Sequence, residues 1–302
     1  MDRLDDVAVF LAVAEHGSFA QAARKLGRSP AVVTRAVANL EARLGVRLLN
    51  RTTRAVSLTD VGERFRAGAA RVLADFDEIE REAAGQGNAP RGELAVTAPI
   101  LFGRLHVLPV VTAFLAQYPD VSVRLIMLDR SIDLIEEGVD VAIRIGVLRD
   151  SSLIATRIGS LPSVVVATPS YLARKGTPQA PPDLAAHDIV VFSNLWGVER
   201  WTFADGASVA IKPRLVVTTA EAAIDAAKAG CGITRVLGYQ VADALAEGSL
   251  VRLLRANEPE PWPVHVLYPS GPHPAPKLRA FIDFAGPRLR QRLEQVREIL
   301  AK

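Results

Sequence analysis
The hydrophobic period of this chain changes once, and that change restricts the available folds more than any other feature. Apolar residues recur at helical spacing to about residue 83. Beyond Gly92 they gather into short strand-like runs that alternate with helices. The intervening GQGNAPRG, residues 85–92, carries neither period and reads as a linker. Two regimes within 302 residues predict two domains, each long enough to bury a core.

Three short helices are predicted in the first 60 residues. Leu4, Val7, Leu11 and Ala14 fall on one face of the first, and Phe19, Ala22, Ala23 and Leu26 on one face of the second. Ser18 can cap the second helix while Gln21 reaches back, and Gly27-Arg28-Ser29 makes the turn after it. Ser29 is the N-cap of the third helix, Pro30 takes the first position, where a missing N–H costs nothing, and Gly45 closes the end. Burial of Val33, Ala36, Val37, Leu40 and Leu44 then leaves Ala31, Thr34, Arg35 and Ala38 facing outward.

A helix with so small and basic an outer face fits the DNA major groove. Arg35 can donate two hydrogen bonds to guanine O6 and N7 or clamp a phosphate, while Thr34 can bond a base edge or set its methyl against thymine. The bland alternative is a three-helix bundle with a solvated basic face, which does not require small residues among the cations. Charge placement points the same way. The net charge is only +3, yet residues 1–59 hold nine Lys and Arg against five Asp and Glu, an excess suited to a polyanion such as duplex DNA.

From Asp60 to about Glu82 a long helix is predicted, on which Phe65, Ala69, Val72, Phe76, Ile79 and Ala83 step alternately by four and three. The stripe can pair with a second copy or dock on the chain's own body; its heptad period favours pairing. After Gly92, strands are predicted at 93–98, 121–128, 139–145, 163–167, 188–192, 215–218 and 264–268. Helices are predicted at 103–118, near Ile135, at 220–229, near Val241 and at the C-terminus. Such alternation implies mostly parallel sheets covered by helices, arranged as two lobes with a ligand in the cleft between them.

The chain opens Met-Asp-Arg-Leu-Asp-Asp, without the basic start and apolar core of a secretory signal, and no apolar run approaches the ~18 residues of a membrane span. A cytoplasmic protein with no membrane partner is expected. Cys231 is the sole cysteine, which excludes an intrachain disulfide and a Cys-rich metal site and agrees with a reducing compartment. His16, His106, His187, His265 and His273 lack metal-ligand spacing. Gly230-Cys231-Gly232 is a fragment of a dinucleotide motif with Arg235 in the third glycine's place, and reads as close packing. Asp133, Glu136 and Glu137 read as a solvated helix face. With no nucleophile elbow or phosphate loop, no catalytic residue, metal or cofactor is expected.

Residues 17–27 (GSFAQAARKLG) and 29–45 (SPAVVTRAVANLEARLG) resemble the helix-turn-helix of the LysR-type transcriptional regulators. Residues 46–54 (VRLLNRTTR) and 58–62 (LTDVG) resemble that family's wing and the entry to its dimerisation helix. The likeness is dense over residues 1–65, and beyond Gly92 it rests on spacing and patterning. It implies a multi-domain α/β chain: a winged helix-turn-helix at 1–59, a dimerisation linker helix and hinge at 60–91, and a two-lobed effector domain like the periplasmic binding proteins at 92–302. Lobe I would take about 92–163 and 268–302, and lobe II about 164–267.

The resemblance further implies a sequence-specific DNA-binding regulator, not an enzyme, whose activity a small-molecule effector modulates. Homodimers would pair through Phe65, Ala69, Val72, Phe76 and Ile79, join into homotetramers, bind an interrupted palindromic operator and act on RNA polymerase. DNA contacts would come from Ser29, Pro30, Ala31, Thr34, Arg35 and Ala38, and from Arg51, Thr52 and Arg54 on the wing. Where the family commonly has Gln-Pro after the capping serine, this chain has Pro30-Ala31.

Effector contacts would come from Thr97, Ala98, Pro99 and Phe102, where the first strand passes into a helix whose free N–H groups suit an anion. Ser193, Asn194 and Thr219 follow strands of the second lobe in the same way. Thr97 and Thr219 read equally well as helix caps. Arg144 could neutralise a carboxylate or pair with an acid, and Trp196 and Trp201 could wall an aromatic ligand or pack in the core. A small organic or aromatic acid is the effector class expected. The other readings are a solute-binding protein without DNA function, disfavoured by the missing signal peptide, and an enzyme fused to a DNA-binding domain.

Overall fold
The computed structural model describes residues 3–51, 56–83, 89–130, 132–134, 136–148, 152–192, 199–204, 206–270 and 274–301, apart from the side chains at 71, 74, 75, 78, 79, 81–83 and 199. The chain divides into two compact units, residues 1–92 with 133–138, and residues 93–132 with 139–302.

The first unit runs α1 (Arg3–His16), α2 (Phe19–Lys25), α3 (Pro30–Leu44), a two-stranded antiparallel wing of β1 (Leu49–Arg51) and β2 (Val56–Leu58), and α4 (Asp60–Ala83). Local chemistry sets these boundaries. Ser18 Oγ accepts from the Gln21 amide at 3.3 Å, Ser29 Oγ accepts from the Val32 amide at 3.4 Å, and Gly45 ends α3 at φ +70°. Val9, Phe10, Val13, Ala22, Ala23, Val33, Ala36, Val37 and Leu40 form the core with Leu48 and Leu49.

Two burial expectations need correction. On α1 the innermost face is Asp6, Val9, Phe10 and Val13, whereas Leu4, Val7, Leu11 and Ala14 are only half-buried. The helix is apolar on several faces and packs against α2, α3 and α4, so its period alone does not choose the deepest face. Leu44 is 40 % exposed because α3 extends past the core by its last turn.

The second unit begins with β3 (Gly92–Ala98), α5 (Ile100–Phe102), a π-helical turn (Gly103–Val107), α6 (Leu108–Gln117), β4 (Val121–Met127), β5 (Val141–Ile145) and β6 (Leu153–Leu161). It continues with β7 (Ser163–Ala167), α7 (Pro169–Lys175), β8 (Ile189–Phe192), β9 (Glu199–Thr202), β10 (Ser208–Ile211), β11 (Leu215–Val217), α8 (Ala220–Lys228) and β12 (Ile233–Leu237). Then come α9 (Ala242–Ala246), β13 (Val251–Leu253), β14 (Trp262–Pro269) and α10 (Pro276–Ala301). One five-stranded sheet has the order β4-β3-β5-β14-β6, the other β11-β8-β12-β7-β13, and β9 and β10 form a separate ribbon.

The sheets are mixed rather than mostly parallel. β3 runs parallel to β5, and β8 to β11 and β12, but β14 is antiparallel to β5 and β6, and β7 to β12 and β13. The chain leaves the first sheet on β6, enters the second on β7 and returns on β14, so the crossing strands oppose the βα repeats. Because β14 starts at Trp262, the return to the first sheet precedes residue 268. Near Ile135, which is outside the described residues, Leu134 and residues 136–138 form turns in place of the expected helix. The C-terminal part is one helix that runs through Pro287.

The membrane expectation also needs amendment, since the 18-residue window Ile100–Gln117 is long and apolar enough to cross a bilayer by length and composition. Here it packs inward: Phe102, Val107, Val110, Val111 and Phe114 are buried in the first-sheet core. Phe114 meets Phe281 and Phe284 of α10 edge-on at 5.2 and 5.5 Å. At its far end α10 is held by the second lobe, where Arg252 donates to both Glu258 oxygens and to the Leu300 carbonyl, all at 2.6 Å. Arg255 caps the Ala301 carbonyl at 3.1 Å.

Candidate nucleic-acid interface and effector region
Every α3 residue expected at DNA is exposed: Ser29, Pro30, Ala31, Thr34, Arg35 and Ala38. Their inner counterparts Val33, Ala36, Val37 and Leu40 are fully buried, so the helix cannot rotate to hide the outer face without emptying the core. Thr34 Oγ1 donates to the Pro30 carbonyl at 2.8 Å. Its proton is thereby occupied, which leaves lone pairs and a methyl for a base edge. Arg35 makes no hydrogen bond among the described residues, so all five guanidinium donors remain for bases or phosphate.

The wing is more tied down than sequence reasoning anticipated. Arg51 donates to Glu41 Oε2 at 2.8 Å and stacks over Phe19 at 5.0 Å, so the side chain expected at phosphate is anchored to the domain. Thr52 and Arg54 lie outside the described residues. Behind the wing, Thr59 Oγ1 donates toward the Arg47 carbonyl at 2.9 Å and accepts the Gly62 amide at 2.9 Å. A Cβ at Gly62 would stand 2.1 Å from the Leu48 oxygen, so only glycine allows α4 to start there. On α1, Asp5 accepts two bonds from Arg28 at 2.7 and 2.8 Å, which hold its carboxyl below the usual carboxylate range.

The α4 stripe divides. Phe65 meets Phe10 edge-on at 5.5 Å and Ala69 is buried, so these two serve their own domain. Val72 is 58 % and Phe76 39 % exposed in the single chain, and the Ile79 side chain is outside the described residues. The inner end of the stripe docks on the chain's own domain, and at Val72 and Phe76 it stays exposed.

Of the residues expected at an effector, Ala98, Pro99, Phe102, Thr219 and Trp201 have structural duties in the described structure. Ala98 and Phe102 are core, and Phe102 forms a buried ring cluster with His106 and Tyr239 at 4.9 and 5.3 Å. Burial, and then the charge of Arg292, push the His106 imidazole down to about 4, and burial raises the Tyr239 phenol. Pro99 is the N-cap of α5, and the Ile100 amide there already binds Asp129 Oδ1 at 3.0 Å. The anion expected at this helix start is therefore supplied by the chain itself. Thr97 is no cap; it is fully buried, and its hydroxyl has no hydrogen-bond partner among the described residues.

Thr219 is a helix cap, accepting the Ala222 amide at 3.2 Å. Arg144 stands opposite His265 on the neighbouring strand, which in turn stands opposite Arg157; burial and then the Arg157 charge lower the His265 imidazole, so it sits uncharged between the two arginines. Trp201 is core beneath Arg235, whose guanidinium lies 4.9 Å from the ring. Ser193, Asn194 and Trp196 are outside the described residues.

A capped recognition helix with a free outer face, a wing beside it and a two-sheet α/β body downstream define a winged helix-turn-helix protein with a ligand-binding domain. Residues 4–63 match the family described as bacterial regulatory helix-turn-helix protein, lysR family, and residues 87–290 match the LysR substrate binding domain. Similar proteins include the HTH-type transcriptional regulator PtxR of Pseudomonas aeruginosa, 36 % identical over 93 % of this chain and 91 % of its own length. The regulator CrgA of Neisseria meningitidis is 35 % identical over 93 % and 95 %. The solved structure of CrgA, a LysR-type transcriptional regulator, has a TM-score of 0.61 at 34 % identity and covers 96 % of this chain and 98 % of that one. The full-length Vibrio cholerae virulence activator AphB has a TM-score of 0.59 at 32 % identity, covering 94 % and 98 %. This chain belongs to the LysR family: it is a DNA-binding transcriptional regulator with an effector-binding domain, not an enzyme.

Proposed function
We propose that α3 enters the major groove of an interrupted palindromic operator, with Arg35 and Thr34 at base edges and Ala31 and Ala38 keeping the approach close. The observation that carries this reading is the free outer face of α3 opposite a fully buried inner one. Residues 51–54 of the wing meet the flanking minor groove or its phosphates. Two chains pair along α4 through Val72, Phe76 and Ile79, and domain contacts join pairs into a tetramer. The protein works in the cytoplasm on RNA polymerase's access to promoters. Its effector is a small organic molecule held between the lobes, with its charge elsewhere than the α5 start, where Asp129 would repel an acid.

Arg35→Ala tests the groove reading, measured by gel shift on a duplex that the wild-type chain selects from a random-sequence pool. Specific affinity is expected to fall about 10- to 100-fold, as for loss of a bidentate base contact. Unchanged affinity and salt slope would remove Arg35 from the interface. Phe76→Asp in the same series yields monomers by light scattering; a dimeric variant excludes α4 as the pairing element.

A further inference from the structure
One carboxylate, Glu41, joins the recognition helix to the wing. It sits on α3 with its side chain only 14 % exposed. Oε1 accepts the backbone amides of Leu48 and Leu49 at 2.9 and 3.0 Å, and Oε2 accepts Arg51 at 2.8 Å. Three bonds thus run from one α3 side chain to Leu48, Leu49 and Arg51 at the start of the wing. Two of them take up amides in a buried stretch, where a lost acceptor would leave a donor unsatisfied.

The same carboxylate lies in the wall of a groove of about 570 Å³ bounded by Ala38, Ala42 and Gly45 on the α3 side and by Arg47, Leu49 and Arg51 on the β1 side. The distance between those walls is the distance between the groove-reading helix and the flank-reading wing. Arg51 is oriented by Glu41 on one side and by the Phe19 ring on the other.

We infer that Glu41 is a positioning residue for DNA recognition: it fixes the wing's distance from α3, so that helix and wing engage adjacent grooves as one rigid reader. It touches no DNA itself. Its carboxylate neutralises Arg51 in part, so the chain gives up some attraction for phosphate to gain register. The inference rests on the proposed docking of α3 and the wing, and it predicts a separable effect. Loss of Glu41 should blur the flanks of the footprint and spare the centre.

The test uses the full-length chain on the duplex selected by wild type. Glu41→Gln keeps one acceptor oxygen but turns an amide N–H₂ toward either Arg51 or the wing amides, which breaks one arm. Glu41→Ala breaks all three. Expected are a fall in specific affinity of about tenfold for Gln and about a hundredfold for Ala, with non-specific binding within about twofold. Hydroxyl-radical protection should weaken at the flanking minor grooves and persist in the central major grooves. Hydrogen exchange at the Leu48 and Leu49 amides should accelerate in Glu41→Ala.

Full flank protection with unchanged affinity in both variants overturns the inference. So does a uniform loss of specific and non-specific binding with a lowered melting temperature, which would make Glu41 a fold residue. Arg35→Ala separates the layers: if it leaves central protection intact, the docking itself is wrong. If it abolishes central protection while Glu41→Gln and Glu41→Ala leave the flanks unchanged, the positioning role alone fails.

Discussion
The helix-turn-helix region and the effector region hold their sites in place by opposite means. In the first, the interior is thin, a few valines, leucines and one phenylalanine with alanines between, and polar clasps hang the wing on it. Glu41 grips two amides and a guanidinium, and Thr59 grips the carbonyl of Arg47 and the amide of Gly62. In the second, the interior is thick and aromatic, with Phe102, Phe114, Phe281 and Phe284 in one cluster. Polar groups buried in its two sheets, the Thr97 hydroxyl on β3 and the Thr234 hydroxyl on β12, find no hydrogen-bond partner among the described residues. A thin core leaves its side chains at the surface, where they can read a polyanion. A thick one makes a container whose lining is decided from within.

Phe281→Ala is the strongest probe of that contrast. The ring is 1 % exposed, and its removal should cost about 4 kcal/mol. Calorimetry should show the loss in the transition of the effector region with the other transition unmoved; a shift of both would mean the two regions do not hold themselves independently. In the helix-turn-helix region the matching lesion is a clasp, not a ring. Gly62→Ala puts a methyl 2.1 Å from the Leu48 oxygen and should cost about 3 kcal/mol, with loss of gel-shift activity. A variant of wild-type stability would show that the junction between wing and α4 yields freely.

Acid should act through the container. The folded chain keeps His106 neutral down to about 4, whereas the unfolded chain protonates it near 6.5. Stability is therefore unaffected by His106 above pH 6.5 and falls by about 3 kcal/mol as pH drops from there toward 4, because the unfolded state takes up a proton that the folded state refuses. His106→Phe should flatten that part of the pH–stability curve; an unchanged slope would mean that the imidazole gains a partner or water on protonation. The mildest probe concerns the end of α3. Leu44, 40 % exposed, should cost less than about 1 kcal/mol when cut to Ala, as for a surface change away from the core. A loss as large as that of a fully buried leucine such as Leu40 would place Leu44 in an interface with another chain.

Legibility in the sequence follows the same division. Ser18, Ser29, Pro30 and Gly45 mark the ends of α2 and α3, and the spacing of the buried residues between them sets the outer face of α3 residue by residue. The wing's clasps could not. Glu41 looks like one more solvated acid on a helix, and nothing in its neighbourhood announces that residues 48 and 49 will turn their amides toward it; only the fixed spacing of Glu41, Leu48, Leu49 and Arg51 hints at it. The heptad on α4 was visible as a stripe, but not that Phe65 and Ala69 would be claimed by the chain's own core.

Farther along, position after a strand does not tell a ligand contact from a structural residue: Phe102 lies in the core, Thr219 takes the cap role that its sequence equally allows, and the first α5 amide binds Asp129. By itself the sequence determined α2 and α3, their caps and the exposed outer face of α3, because those depend on bonds between residues three or four apart. The tertiary structure alone decided the antiparallel return of β14, the burial of His106 and the bond of Asp129 to α5. Those depend on which distant segments become neighbours, and a local period carries no information about that.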